Sequence, residues 1–298
     1  MKKIISVLFL ITLFLSVYFN KNEIIDYVIE NFLVKKYFVT YEDNIYAKSN
    51  SFIEYHKTKD FSPESKEDIL DIFFTALNGG WEDVVFYCSK EYPTCIEDTI
   101  YLFENKEKFS EMNSLVHPYN SYERIILNYN SLGKVEFSIE RLYSEKDIIT
   151  LNKKVDSIIS QTIKEDMDVR TKIQTIHDYI INTTTYDEVS AEKVLNDEPI
   201  KSNAYKANGP LLDGMAICGG YSDAMALFLY KFNIENYKLT SPKHVWNYVY
   251  IDNQWLHLDL TWDDPVGSSS NNLLLHSFFL ITDEELKKLD SESHNYTN

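Results

Sequence analysis

Cationic side chains are scarce in this chain: 29 Lys and Arg stand against 46 Asp and Glu in 298 residues, a formal net charge of −17. A nucleic-acid partner needs a basic footprint to displace counterions, so that partner class is excluded. Cysteine is scarcer still, with three residues in all. Paired Cys-x-x-Cys knuckles are absent, as are HExxH and any glycine-rich loop able to cradle phosphate. On that basis no cofactor and no metal is expected. Internal repeats and low-complexity stretches are also missing, which excludes a solenoid or a compositionally biased tract.

An apolar run long enough to span a bilayer is missing too. Residues 4–19 are uncharged and mostly apolar behind Lys2 and Lys3, yet a spanning helix needs about 20 such residues. The run ends in Leu15, Ser16, Val17, Tyr18 and Phe19, without a small-x-small cleavage signature, and no lipid-anchoring cysteine follows it. Residues 1–22 are therefore expected to be an uncleaved signal anchor, with a removed signal peptide as the alternative. Either way the rest of the chain is expected outside the cytoplasm, membrane-anchored or secreted.

Hydrophobic residues make up 44% of the chain, with 22 Tyr and 17 Phe, enough for aromatic-rich cores. The length accommodates two domains. Residues 23–150 read as a small α+β module. Ile69, Leu70, Ile72, Phe73, Phe74 and Leu77 recur at helical spacing and stop at Gly79 and Gly80. Two strand-like runs, 125–129 and 135–139, flank a hairpin loop at 130–134. No catalytic constellation lies in this module, which reads as a spacer or substrate-presenting domain. Cys88 and Cys95 are close in sequence and are expected to pair as a disulfide outside the cytoplasm; zinc there would require a second ligand pair, and none is near.

Residues 151–298 form the second expected domain. A helix is expected over 151–165, and Asp168 is placed to cap the next one, which turns Ile173, Ile176 and Ile180 inward. His177 on that helix reads as an interface residue. Cys218-Gly219-Gly220 then opens an apolar helical pattern through Ala224, Leu227, Phe228 and Leu229. The glycines suit a tight turn, and a sulfur at a helix N-terminus meets free N–H groups that favour its thiolate. Two strand-like segments, 245–251 and 254–261, flank Asp252-Asn253, a two-residue hairpin turn. Ile251 then pairs with Gln254, and Asp259 becomes the diagonal neighbour of His244 on one face. A thiol nucleophile needs a base, and the base needs an orienting acceptor. Cys218, His244 and Asp259 fill those roles in order. His257 shares the face of Asp259 and reads as a packing or hydrogen-bonding residue. Asp263 and Asp264 read as a turn before Pro265.

Three blocks, Cys218-x-Gly220-Tyr221-Ser222, His244-x-Trp246-Asn247 and Trp255-x3-Asp259-x-Thr261-Trp262-Asp263-Asp264-Pro265, resemble the transglutaminase-like superfamily of papain-related folds, in its bacterial branch. The likeness runs from about residue 150 to 290, taking in Ile176-His177-Asp178-Tyr179 upstream and Phe278-Phe279-Leu280-Ile281 downstream. The resemblance implies an α+β papain-like core with the cysteine at a helix N-terminus packed on an antiparallel sheet. It also implies acyl transfer from protein or peptide amides, with Cys218 as nucleophile, His244 as base and then acid, and Asp259 orienting the imidazole. The chain departs from the pattern at the oxyanion donor. Animal transglutaminases use a tryptophan upstream of the cysteine and papain a glutamine, whereas no Trp lies between Trp81 and Cys218 and residues 211–217 hold no Gln. The Cys218 N–H remains as one donor. Tyr186 and Tyr205 are candidates for the second, and an enzyme lacking one donor is slower by about 10²–10³. A catalytically silent cell-surface binding module on the same fold is the alternative function.

The location expectation is testable. Protease added to intact, wall-stripped cells should digest the Cys218 domain, and the isolated protein should retain Met1 or Lys2. Full protection of that domain would contradict an extracytoplasmic site.

Overall fold

The computed structural model describes residues 12, 14–21, 24, 55–196, 198–200, 202–264, 275–290 and 294. The chain divides into two compact units: residues 1–42, 54–106 and 125–140 form the first, and 43–53, 107–124 and 141–298 the second. Of the apolar run at 4–19, position 12 and positions 14–19 are described. No helix among the described residues is long and apolar enough to cross a membrane.

The first unit is built on α1 (Lys66–Gly79). The Ser65 side chain accepts from the Asp68 N–H at its start, and Gly80 ends it at φ 65°, the left-handed conformation that closes the last carbonyls. The stripe Ile69, Ile72, Phe73 and Leu77 is buried, as its spacing predicts. Strand β1 (Asp83–Tyr87), helix α2 (Cys95–Glu104) and strands β2 (Tyr122–Tyr129) and β3 (Lys134–Arg141) complete the unit, with sheet order β1-β3-β2. Alternation along β3 turns Val135, Phe137 and Ile139 inward, and Phe73 and Phe86 pack around Phe137. A disulfide joins Cys88 to Cys95 with their Cα atoms 5.7 Å apart, leaving Cys218 as the free thiol.

The second unit begins with α3 (Lys106–Leu115) and α4 (Glu145–Thr162). The latter starts earlier than its apolar pattern predicts because Ser144 and Asp147 form a reciprocal capping box ahead of Leu151, and it ends earlier where Ile163 turns to an extended conformation. Helix α5 (Val169–Thr183) is capped by Asp168, which accepts from the Thr171 N–H at 2.7 Å, and it buries Ile173, Ile176 and Ile180 as expected. Short strand β4 (Thr185–Tyr186), helix α6 (Glu188–Leu195) and short strand β5 (Met215–Ala216) follow, β4 and β5 pairing in parallel. Helix α7 (Cys218–Lys231) is buried at every position from Gly220 to Leu229 and packs against α5 and the main sheet. A helix apolar on all sides belongs at the centre of a core, and α7 takes that place.

The sheet holds β6 (Asn236–Ser241), β7 (His244–Ile251), β8 (Gln254–Leu258) and β9 (Phe279–Ile281) in sequential antiparallel order, with helical turn α8 (Leu260–Asp263) before β9 and α9 (Asp283–Leu289) after it. Asp252 and Asn253 both have positive φ, 56° and 63°, so the β7–β8 turn is the two-residue type that matches strand twist, and Ile251 pairs with Gln254 as expected. The architecture is a mixed α/β one with antiparallel sheets.

One buried charge pair fastens the core helix to the sheet. Lys238 on β6 lies 2.5 Å from Asp223 Oδ1 on α7; Tyr143 donates to Asp223 Oδ2 at 2.6 Å and accepts from the Ala207 N–H at 2.7 Å. Removing one partner strands the other charge, so Lys238→Met is expected to cost about 3–5 kcal/mol in urea unfolding. Adding Asp223→Asn should restore part of that loss. A single-variant cost below about 1 kcal/mol would show that water reaches the pair.

Candidate active site

The sulfur is positioned by backbone before any side chain is considered. Strand β5 carries the chain into Ile217, extended and at the cap position of α7, and the Ile217 N–H donates to the Ala204 carbonyl at 2.9 Å. Cys218 follows as the first helical residue, partly exposed. Gly219 and Gly220 are not turn glycines as predicted, for neither has a positive φ. They are required by proximity: a Cβ on Gly220 would lie 2.3 Å from the Ala204 carbonyl oxygen, and one on Gly219 2.7 Å from that of Tyr205. The first turn of α7 is thus pressed onto residues 204–205, where only a bare backbone fits.

The next pair of contacts sets the distance between helix and strand. Ser222 Oγ lies 2.8 Å from the Cys218 carbonyl and 3.0 Å from the Val245 carbonyl, and Asn247 Nδ2 donates back to the Ser222 carbonyl at 3.0 Å. Cys218 and His244 therefore sit at the ends of two elements stitched together one helical turn away. The His244 ring stacks on Trp246, centroids 5.6 Å apart, and lies within electrostatic reach of the Cys218 side chain.

His244 Nε2 lies 2.5 Å from Asp259 Oδ2. The structure brings all three predicted residues together. The route differs from the expected diagonal strand pair: β8 ends at Leu258, and Asp259 turns out of the sheet to cap α8, its Oδ1 accepting from the N–H groups of Thr261 and Trp262. A carboxylate that satisfies those two donors cannot leave residue 261 in a strand. Burial by itself would lower the His244 pKa; the Asp259 charge and then the Cys218 sulfur outweigh it and raise it to about 10. Burial would raise Asp259, but the two imidazoles hold it well below the usual carboxylate range.

A second imidazole completes this carboxylate. His294 Nε2 lies 2.8 Å from Asp259 Oδ2 and His294 Nδ1 lies 2.8 Å from Asp290 Oδ2, with the ring edge-on to His244 at 5.1 Å. The sequence reading missed it. Its one signal is the four-residue spacing from Asp290, common enough to carry no meaning alone. His257 behaves as expected: burial pushes it down to about 4, it accepts from the Trp246 indole at 2.9 Å, and its Nε2 reaches Asp283 at 2.7 Å.

Two other readings are incomplete. Asp263 lies in the helical turn before Pro265, as expected, but also buries its carboxylate, 3.2 Å from His177 Nε2 and accepting from the Phe278 N–H. Asp264 accepts from the Tyr221 hydroxyl. Both carboxylates bind groups the fold delivers from elsewhere, which local composition does not encode; Pro265 lies outside the described residues. Of the two tyrosines considered as oxyanion donors, Tyr186 is within electrostatic reach of the site. Burial first, then the charges of Cys218 and Asp259, raise its hydroxyl pKa, so it stays a donor. The Tyr205 ring answers instead to burial, Glu123 and Asp147.

No protein-family model and no curated protein matches the chain. Among solved structures it is similar to a crystal structure of a TGase, at 16% identity and a TM-score of 0.36, covering 58% of this chain and 50% of that one. It is also similar to a structure from Cytophaga hutchinsonii described as a candidate cysteine protease, at 12% identity and a TM-score of 0.27, covering 46% and 61%. The chain thus spans about half the length of the first. Likeness at these TM-scores carries no argument about chemistry.

The electrostatics give a signed pH dependence. His244 is raised above its ordinary 6.5, so its contribution to stability is fully present below about 6.5 and is lost as pH rises through about 10. Asp259 is depressed below its ordinary 3.8, so its contribution is present above that value and lost on acidification. The stability gap between the protein and Asp259→Asn should therefore be largest between about pH 4 and 6.5, at about 3–5 kcal/mol, and shrink towards pH 10. A gap that stays constant from pH 6 to 10 in urea unfolding would contradict the pairing.

Proposed function

We propose that the chain is a thiol-dependent acyl-transfer enzyme with a transglutaminase-like core, acting on protein or peptide amides. The observation that carries this reading is a partly exposed cysteine at a helix N-terminus, sharing one imidazole with a buried, fully hydrogen-bonded aspartate. In the proposed reaction the Cys218 sulfur, having passed its proton to His244, attacks the amide carbon. The C–N bond breaks as the imidazolium returns that proton to the leaving nitrogen, and a thioester forms. An amine or a water molecule then attacks the thioester, giving up a proton to His244, and the sulfur departs. Amine acceptance yields a crosslink; water yields hydrolysis. The Cys218 N–H and the Tyr186 hydroxyl are the proposed donors to the developing oxyanion. An extracytoplasmic site fits the Cys88–Cys95 disulfide, since such bonds persist in oxidising compartments.

The test is a variant series on a glutamine-bearing protein substrate, reading both incorporation of a tagged amine and release of ammonia or peptide. Cys218→Ala and His244→Ala should abolish both signals. Asp259→Asn should leave a residual rate, reduced on the order of 10⁴-fold, because it orients the base without taking the proton. His244→Ala should also slow alkylation of Cys218 by iodoacetamide. Undiminished turnover in Cys218→Ala would refute the reading and leave the surface binding module.

A further inference from the structure

A second cluster of chemistry-bearing groups lies apart from the sulfur. His177 and Asp178 are neighbours on α5, and His276 comes from the segment ahead of β9. His177 Nδ1 and His276 Nε2 both converge on Asp178 Oδ1, at 2.9 and 2.8 Å. The three ligand-capable atoms all lie within 4.8 Å of one another. We propose that His177, Asp178 and His276 form a binding site for one divalent transition-metal ion of the zinc class.

Three observations support it. The donor set is two imidazole nitrogens and one carboxylate oxygen, which suits zinc, nickel or copper and ill suits magnesium or calcium, whose ligands are oxygens. Around a tetrahedral zinc with bonds of about 2.0–2.1 Å, neighbouring ligand atoms are roughly 3.3 Å apart. The two N···O separations are a few tenths of an ångström shorter and the two nitrogens lie within 4.8 Å of each other, so side-chain adjustment admits the ion among the three atoms. The second observation lies behind the first ligand. His177 is wholly buried, and its other nitrogen, Nε2, faces Asp263 Oδ2 at 3.2 Å, while Asp263 Oδ1 is held by the Phe278 N–H. A metal-bound histidine characteristically gives its remaining N–H to such a carboxylate, which fixes ring and tautomer. The third is access: the Asp178 and His276 side chains are 25% and 34% exposed, so an ion can enter and a water can take a fourth position.

The site would clamp α5 to the chain leading into β9 and, through Asp263, to α8, the turn that Asp259 caps. Nothing in the sequence advertises it, because the third ligand stands 98 residues from Asp178. It does not depend on the acyl-transfer reading.

The test uses the full chain carrying Cys218→Ser, which removes the free thiol as a competing ligand. After EDTA treatment, zinc is titrated and bound metal is counted by mass spectrometry of the dialysed protein, with cobalt absorption as a second readout. One equivalent should be retained, with a raised Tm. His276→Ala, a half-exposed change, and Asp178→Asn should each lower affinity at least 100-fold; Asp263→Asn should lower it about 10–100-fold. His294→Ala should leave it unchanged. Two results would overturn the proposal: no retained zinc in the parent protein, or retention equally tight in His276→Ala and Asp178→Asn, which would locate the ion elsewhere.

Discussion

The carboxylate of Asp259 is the constraint on which the second unit of this molecule depends. It is buried, and it is held in the ionised form by four donors: two imidazoles on Oδ2 and two backbone N–H groups on Oδ1. A buried charge with fewer partners would be neutralised or would unfold its surroundings. Satisfying it forces three structural events at once. The chain must leave the sheet after Leu258, α8 must begin, and His244 must present Nε2 to Asp259. The helix–strand stitching through Ser222 and Asn247 then holds the start of α7, with Cys218, against the strand that carries His244.

The acidic excess of the composition acquires a local meaning in this light. His177, His244, His257, His276 and His294 each place a ring nitrogen within 3.2 Å of a carboxylate oxygen. Five carboxylates, those of Asp178, Asp259, Asp263, Asp283 and Asp290, are used internally to orient imidazoles. By our reading the same pairing makes a base at one place and a metal-ligand set at another; the difference is the nearby sulfur in the first and two convergent rings in the second.

What was legible in the sequence follows physical range. Local signals were read correctly: the Asp168 cap, the Gly80 stop, the Asp252–Asn253 turn, the inward stripe of α1 and the Cys88–Cys95 pairing all depend on residues a few positions apart. The pairing of His244 with Asp259 follows from the hairpin that carries them close together, although Asp259 reaches it from beyond the strand's end. Contacts closed by the tertiary fold were not. His294 reaches Asp259 across 35 residues, and His177 reaches Asp263 across 86. The two glycines after Cys218 were noticed for the wrong reason, since the demand on them comes from the carbonyls of Ala204 and Tyr205 and not from their own dihedral angles. The start of α4 was misplaced because a capping box at Ser144, about two turns upstream of Leu151, begins the helix earlier than the apolar pattern does.

The central claim is that Cys218 forms a covalent acyl intermediate. The most direct measurement is mass spectrometry of the protein mixed briefly with an activated acyl donor, quenched in acid and digested. The account predicts one acyl group on the Cys218 peptide, released by hydroxylamine, and no such adduct when His244 is replaced by alanine. Modification at other residues with Cys218 left free, or an adduct that forms equally fast without His244, would contradict it.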